Sequence, residues 1–145
     1  MVKLFAHLDA DSFYVSCERL AHPELDGRAV AVLSSLDAFV IARSYELKPL
    51  GVKVGTPVWD IRKAAPYAVF RSADFARYGK VSRWMFDVVR DIAPAVEEYS
   101  IDEAFVDLTG LDRCYGMTPN ELGMLIKRRV RDEVGLTVSV GVATT

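Results

Sequence analysis

The stretch Tyr99-Ser100-Ile101-Asp102-Glu103-Ala104-Phe105-Val106-Asp107-Leu108 places two adjacent carboxylates inside an otherwise apolar, β-forming run. This restricts the fold, because a strand beside a core cannot also bury two neighbouring negative charges. Like charges repel and desolvation adds to the cost, so both acids stay ionised only where water or a cation offsets them. Two readings stand side by side: a metal site, or a hairpin turn whose acids point into solvent.

Composition narrows the setting. With 145 residues, 51% of them hydrophobic and 26% charged, the chain has material for one substantial core and reads as a soluble α+β or α/β protein of one or two compact units. Cys17 and Cys114 lie far apart and match no zinc or CxxC spacing, so both are expected to be buried thiols in a reducing cytosol. The apolar run from Val2 to Leu8 is short and meets Asp9 and Asp11 at once, unlike a signal peptide. No stretch reaches the roughly 18 apolar residues that span a bilayer, so no membrane partner and a cytoplasmic location are expected. A net charge of −2 argues against tight autonomous binding of nucleic acid, which needs a Lys/Arg excess on some face.

Taken in order, Lys3 to Asp9 reads as a buried strand, and Asp11 is placed to cap a helix from about Ser12 to Ala21. His22-Pro23 and Asp26-Gly27 mark a loop, Ala29 to Leu33 a short strand, and Phe39 to Ala42 its hairpin partner. Ser44 is placed to cap a brief helix, Tyr45 to Leu50, closed by Pro49 and Gly51; a weak helical signal follows over Val58 to Ala65. From Asp74, Phe75, Tyr78, Val81, Met85, Val88 or Val89, and Ile92 recur at spacings of three and four, which predicts one apolar helix face ended by Pro94. Val96 to Tyr99 and Ala104 to Leu108 are then two strands. Thr118-Pro119-Asn120-Glu121 is a capping-box start for a helix to Gly135, whose outer Lys127, Arg128 and Arg131 read as a solvated surface. Thr137 to Ala143 alternates as a final strand.

Strand, small insertion, helix, two strands, helix, strand is the order of a split βαβ arrangement: α+β, with an antiparallel or mixed sheet and two long helices on one face. In such a sheet the first strand is often central, which would bring Asp9 to Asp102 and Glu103 on the adjoining strand. Three hard oxygen donors without His or Cys nearby suit Mg²⁺, which keeps part of its water shell and takes other ligands from substrate phosphates. Two such ions can serve a phosphoryl transfer. Asp11 reads better as a helix cap, and Asp107 should lie further along its strand, away from the tip.

Leu8-Asp9-Ala10-Asp11-Ser12-Phe13-Tyr14, Val40-Ile41-Ala42-Arg43 with Tyr45 to Lys53, Tyr99 to Leu108, and Thr137 to Val142 together resemble the N-terminal part of a Y-family translesion DNA polymerase. Val32-Leu33-Ser34, Val40 to Arg43 and Asp107-Leu108-Thr109-Gly110 make it most similar to the UmuC-like branch, the catalytic subunit of DNA polymerase V. The resemblance implies a palm from residues 1–12 and 74–145 and fingers from residues 13–73, with thumb and little finger absent. It implies that Asp9, Asp102 and Glu103 are catalytic and ligate two Mg²⁺ ions, replaceable by Mn²⁺, with the Ala10 carbonyl as a further ligand. Phe13 and Tyr14 would lie beneath the incoming sugar, Tyr14 as a steric gate against ribonucleotides. Tyr45 and Lys48 would meet the triphosphate. Arg43 is a further nucleotide-binding candidate, against a structural pairing with Glu46.

The resemblance also implies primer-template DNA and dNTP as partners, a sliding clamp or activating proteins as accessories, and a place in the SOS response to DNA damage. Two departures stand out. Ala42 replaces a hydroxyl residue common in relatives, which removes one phosphate contact, and Phe39 in Ala38-Phe39 adds a ring where the UmuC-like pattern is small. Because the basic DNA-gripping parts are missing, the 145-residue chain is expected to polymerise poorly or not at all by itself. The alternatives are a noncatalytic polymerase-like scaffold that recruits repair proteins and, with less support, a palm-type nucleotide cyclase.

Overall fold

The N-terminal run forms β1, Leu4–Ala10, in a computed structural model that describes residues 2–144. Its alternate residues Leu4, Ala6, Leu8 and Ala10 are buried, whereas Phe5, His7 and Asp9 face away from the core. The chain divides into two units, Met1–Asp11 with Tyr78–Thr145, and Ser12–Arg77. Met1 and Thr145, the outer limits of the expected palm, lie outside the described residues.

In the first unit, β5 (Val96–Ser100), β6 (Glu103–Asp107), β1 and β7 (Val138–Thr144) form a sheet in the order β5-β6-β1-β7. Every neighbouring pair is antiparallel and β1 is central. Only one face is deeply buried, as the alternation of β1 and β6 requires. Two helices, α3 (Phe75–Ile92) and α5 (Pro119–Val134), supply that cover. A methyl group at Gly123 of α5 would meet Val142 Cγ2 of β7 at 3.0 Å, so this helix lies close on the sheet. Arg129 of α5 reaches Asp91 of α3 at 2.8 Å and ties the two helices side by side. The fold is therefore the expected α+β arrangement, with both long helices on one face.

Local chemistry sets the ends of α5. The Thr118 side chain accepts from the Glu121 amide while Glu121 reaches back to the Thr118 amide, and Pro119 stands first, where a missing N–H costs nothing. At the other end Gly135 takes a left-handed φ of 87° and donates to the carbonyls of Val130 and Arg131. The apolar face of α3 is Tyr78, Met85, Phe86, Val88, Val89 and Ile92, with Ser82. Phe75, expected on that face, is instead 51% exposed. Ser82 is buried because its hydroxyl donates to the Ile101 carbonyl in the turn between β5 and β6. A small residue on the apolar stripe thus braces the turn that carries the acids.

In the second unit, β2 (Val30–Leu33) lies between β3 (Val40–Arg43), antiparallel to it, and β4 (Val69–Ser72), parallel to it. The unit also holds α1 (Phe13–Ala21), α2 (Val58–Ala64) and a 3₁₀ segment, Tyr45–Leu50. Its core joins Ala31 and Leu33 of β2 to Val40, Leu47, Val58 and Ile61, with Phe70 packed against them.

Several local expectations give way. The position before α1 belongs to Ser12, in a left-handed conformation, and Asp11 does not occupy it. Ser44 precedes the 3₁₀ segment but turns its hydroxyl to accept the Val30 amide at 2.9 Å. Neither β4 nor the short α4 (Leu111–Tyr115) is expected from periodicity, since four or five residues carry too little of it. Cys17 is buried, which pushes its thiol up to about 12, but Cys114 is exposed, contrary to expectation. No helix among the described residues is long and apolar enough to cross a membrane.

Candidate active site

The acidic end of the first unit is built by strand register. Asp9 on β1 is directly opposite Glu103 on β6 and, across its other edge, Ser139 on β7. The Ala10 amide donates to the Asp102 carbonyl at 2.8 Å, which docks the β5–β6 turn onto the end of β1. Ser100 Oγ donates to Asp102 Oδ1 at 2.9 Å, so the turn also orients its own acid. Beyond β1, the Asp11 amide bonds the Thr137 carbonyl and Asp11 Oδ1 accepts from Ser139 Oγ at 2.6 Å. Asp107, as expected, lies at the far end of β6 opposite Phe5, where it accepts the Thr109 amide.

Electrostatics records the crowding. Burial raises the Asp9 carboxyl above its ordinary value, and Asp102, Glu103 and Asp11 push it further, while His7 opposes them. A raised folded value means that the stability due to this group is present at low pH and lost as pH rises through that value, so at pH 7 its charge is a cost. Like charges directly opposite on neighbouring strands are destabilising, by about 0.5 kcal/mol here. Asp9→Asn is therefore expected to raise the melting temperature of the chain at pH 7 in chelator, and the difference from wild type should shrink on acidification. Thermal denaturation at the two pH values measures this.

The donor set fits a hard cation that keeps waters, because Asp9, Asp102 and Glu103 offer only oxygen. Among the described residues no three His, Cys, Asp or Glu side chains stand close enough together to hold a metal ion. The backbone thus brings the three acids to one end of the sheet without gathering them into a closed cage. A histidine is nearby, contrary to expectation: His7 Nε2 lies 2.9 Å from Glu103 Oε1. Its signal in the sequence was its place two residues before Asp9, hence on the same face of β1. Ser100 and Ser139, which bond Asp102 and Asp11, carry no signal in the sequence, being polar residues in ordinary β patterns.

The second unit carries the other candidates. Phe13 is buried, and Tyr14 packs against it at 5.8 Å and meets Phe75 edge-on at 5.9 Å. Tyr45 is 74% exposed, with Lys48 Nζ 5.5 Å from its ring centre. The pairing of Arg43 with Glu46, the structural alternative to a nucleotide-binding role, does not form. Glu46 is taken by Arg19 at 3.3 Å, and the buried Arg43 Nε has no hydrogen-bond partner.

Comparison with known proteins follows the same lines. The sequence profile of the impB/mucB/samB family matches residues 8–145. Protein SamB of Salmonella typhimurium is 41% identical over 145 residues, covering 98% of this chain and 34% of the relative. DNA polymerase IV of Treponema denticola is 36% identical over 142 residues, covering 97% and 36%. Protein UmuC of Salmonella typhimurium is 40% identical over 144 residues, covering 98% and 34%. The crystal structure of DinB from Sulfolobus solfataricus superposes with a TM-score of 0.86 at 30% identity, covering 97% of this chain and 42% of that one. The chain thus spans about a third of the length of the curated relatives it matches.

Proposed function

The chain belongs to the impB/mucB/samB family, and from that premise we propose that it forms the palm and fingers of a translesion DNA polymerase. The reaction joins a primer 3′-hydroxyl oxygen to the α-phosphorus of a dNTP, breaks the bond to pyrophosphate and releases the hydroxyl proton. The observation that carries this reading is the register of Asp9 against Glu103 with the Asp102 turn docked on the end of β1. Palm is the role of the first unit and fingers that of the second.

Asp9, Asp102, Glu103 and the Ala10 carbonyl would hold divalent cations, Mg²⁺ or Mn²⁺. Bound there, the cations supply activation of the attacking hydroxyl and stabilisation of the leaving oxygen. The chain's own side chains position and neutralise, which is most of what phosphoryl transfer asks of a protein. Lys48 offsets triphosphate charge and Tyr45 donates a phenolic hydrogen bond; their exposure leaves both accessible to a ligand. Arg43 adds a further cationic contact. Phe13, whose ring centre is 5.8 Å from that of Tyr14, would lie with it beneath the incoming sugar.

The direct test is Mn²⁺ titration of the chain beside its Asp102→Ala/Glu103→Ala variant. Saturable binding that disappears in the variant supports the reading, and binding that persists overturns it. By itself the 145-residue chain is expected to extend primers poorly, because catalysis also needs primer and template held in near-attack geometry; extension at the rate of a relative would contradict that.

The gate has its own test. In a chimera where this chain replaces the matching segment of a DNA polymerase IV, Tyr14→Ala should raise ribonucleotide incorporation roughly 10–100-fold, the range a shape-based pocket can discriminate. Single-nucleotide insertion of rNTP against dNTP reads it, and an unchanged ratio removes the role.

A further inference from the structure

His7 is used by no step above, yet it touches one of the acids. We propose that His7 is a positioning residue for Glu103, holding one carboxylate oxygen so that the other is presented to a divalent cation. This rests on the reading of Asp9, Asp102 and Glu103 as metal ligands.

Three observations carry it. First, Nε2 lies 2.9 Å from Glu103 Oε1, and since an ionised carboxylate only accepts, the imidazole nitrogen is the donor. Second, the imidazole is itself held. Its ring packs on Phe105 with centroids 5.0 Å apart, and Phe105 meets Tyr99 edge-on at 5.9 Å. A ladder of rings on the open face of β5, β6 and β1 therefore ends in a fixed donor rather than a wandering one. Third, His7 is not part of the core. Its side chain is 43% exposed and that of Glu103 28% exposed, so the contact is on the solvent side of the sheet, beside Asp9.

The physical case follows from flexibility. A glutamate carries three rotatable side-chain bonds, and freezing them on binding costs affinity unless they are already restrained. A hydrogen bond from a neighbouring group to a ligating carboxylate does this, and its loss typically weakens metal affinity 10–100-fold. Aspartates at the other two positions are shorter, and Asp102 already has Ser100 as its restraint. Glu103 is the long ligand, and His7 is its restraint.

The test uses Mn²⁺ alone, titrated into the 145-residue chain by calorimetry or electron paramagnetic resonance, with folding checked by circular dichroism. His7→Phe keeps a ring against Phe105 but lacks the donor, and should weaken Mn²⁺ binding about tenfold. His7→Ala should do the same. His7→Gln, whose amide N–H can donate, should restore most of the loss, which a merely structural role would not produce. Equal affinity in wild type and His7→Phe overturns the proposal, as does tighter binding in His7→Phe, which would mean that the imidazole competes for the carboxylate. Those results leave the metal site intact. Wild-type binding that is indifferent to Asp102→Ala/Glu103→Ala removes both the metal reading and this inference.

Discussion

Asp102→Ala together with Glu103→Ala is expected to lower the rate of nucleotide insertion about a thousandfold. The measurement is single-turnover primer extension by the chimera described above. The two acids stand at one end of the sheet, Glu103 opposite Asp9 and Asp102 in the turn bonded to Ala10. Removing a preorganised electrostatic element aimed at developing charge costs on the order of 10²–10³ in rate, and the double variant removes two. Both side chains are only half-buried, so the fold should survive; with like charges relieved, the melting temperature should hold or rise. Binding of primer-template should change little. The loss then falls on the chemical step, the signature of an interaction made in the transition state. Insertion within tenfold of wild type would contradict the assignment.

Glu18→Ala should cost about 3 kcal/mol of stability. Glu18 sits on α1 with 1% exposure, and Arg71 Nε of β4 reaches its carboxylate at 3.1 Å. Arg71 also bonds His22 Nε2 at 2.8 Å, so one guanidinium joins the end of α1 to the edge strand. Breaking a buried pair from one side costs roughly 3–5 kcal/mol because a charge is left behind. Arg71 is 37% exposed and can rehydrate in part, which places Glu18→Ala at the lower end. Arg71→Ala should destabilise as well, since it removes the guanidinium that reaches this buried carboxylate and also bonds His22. The double variant should cost less than the sum, as coupled partners do. Urea denaturation of the four proteins measures the cycle, and strict additivity would mean that the pair does not couple.

Legibility followed range. The capping box at Thr118, Pro119 at the first helical position and Gly135 at the end of α5 all act within a few residues, and each appears in the structure as expected. The same holds for the strands around Asp102-Glu103 and for the central position of β1. Polar side chains with several local options were less legible. Asp11 has the residue type of a cap but bonds Ser139, 128 residues away. Glu46 is three residues from Arg43 in the chain and instead pairs with Arg19 of α1.

By itself the sequence determined where the longer helices and all the strands but β4 lie, that two acids interrupt a strand, and, through four ordered motifs, the family. Those properties arise from periodicity, caps and residue types that interact over a turn or two. Only the tertiary structure decided that β4 joins β2 in parallel, that Glu18 is matched by Arg71, that His7 reaches Glu103, and that the acids share one end of the sheet without forming a closed cage. Each depends on register between segments tens of residues apart, and register follows from which hydrogen-bond ladder buries the most apolar surface. No segment carries that information alone.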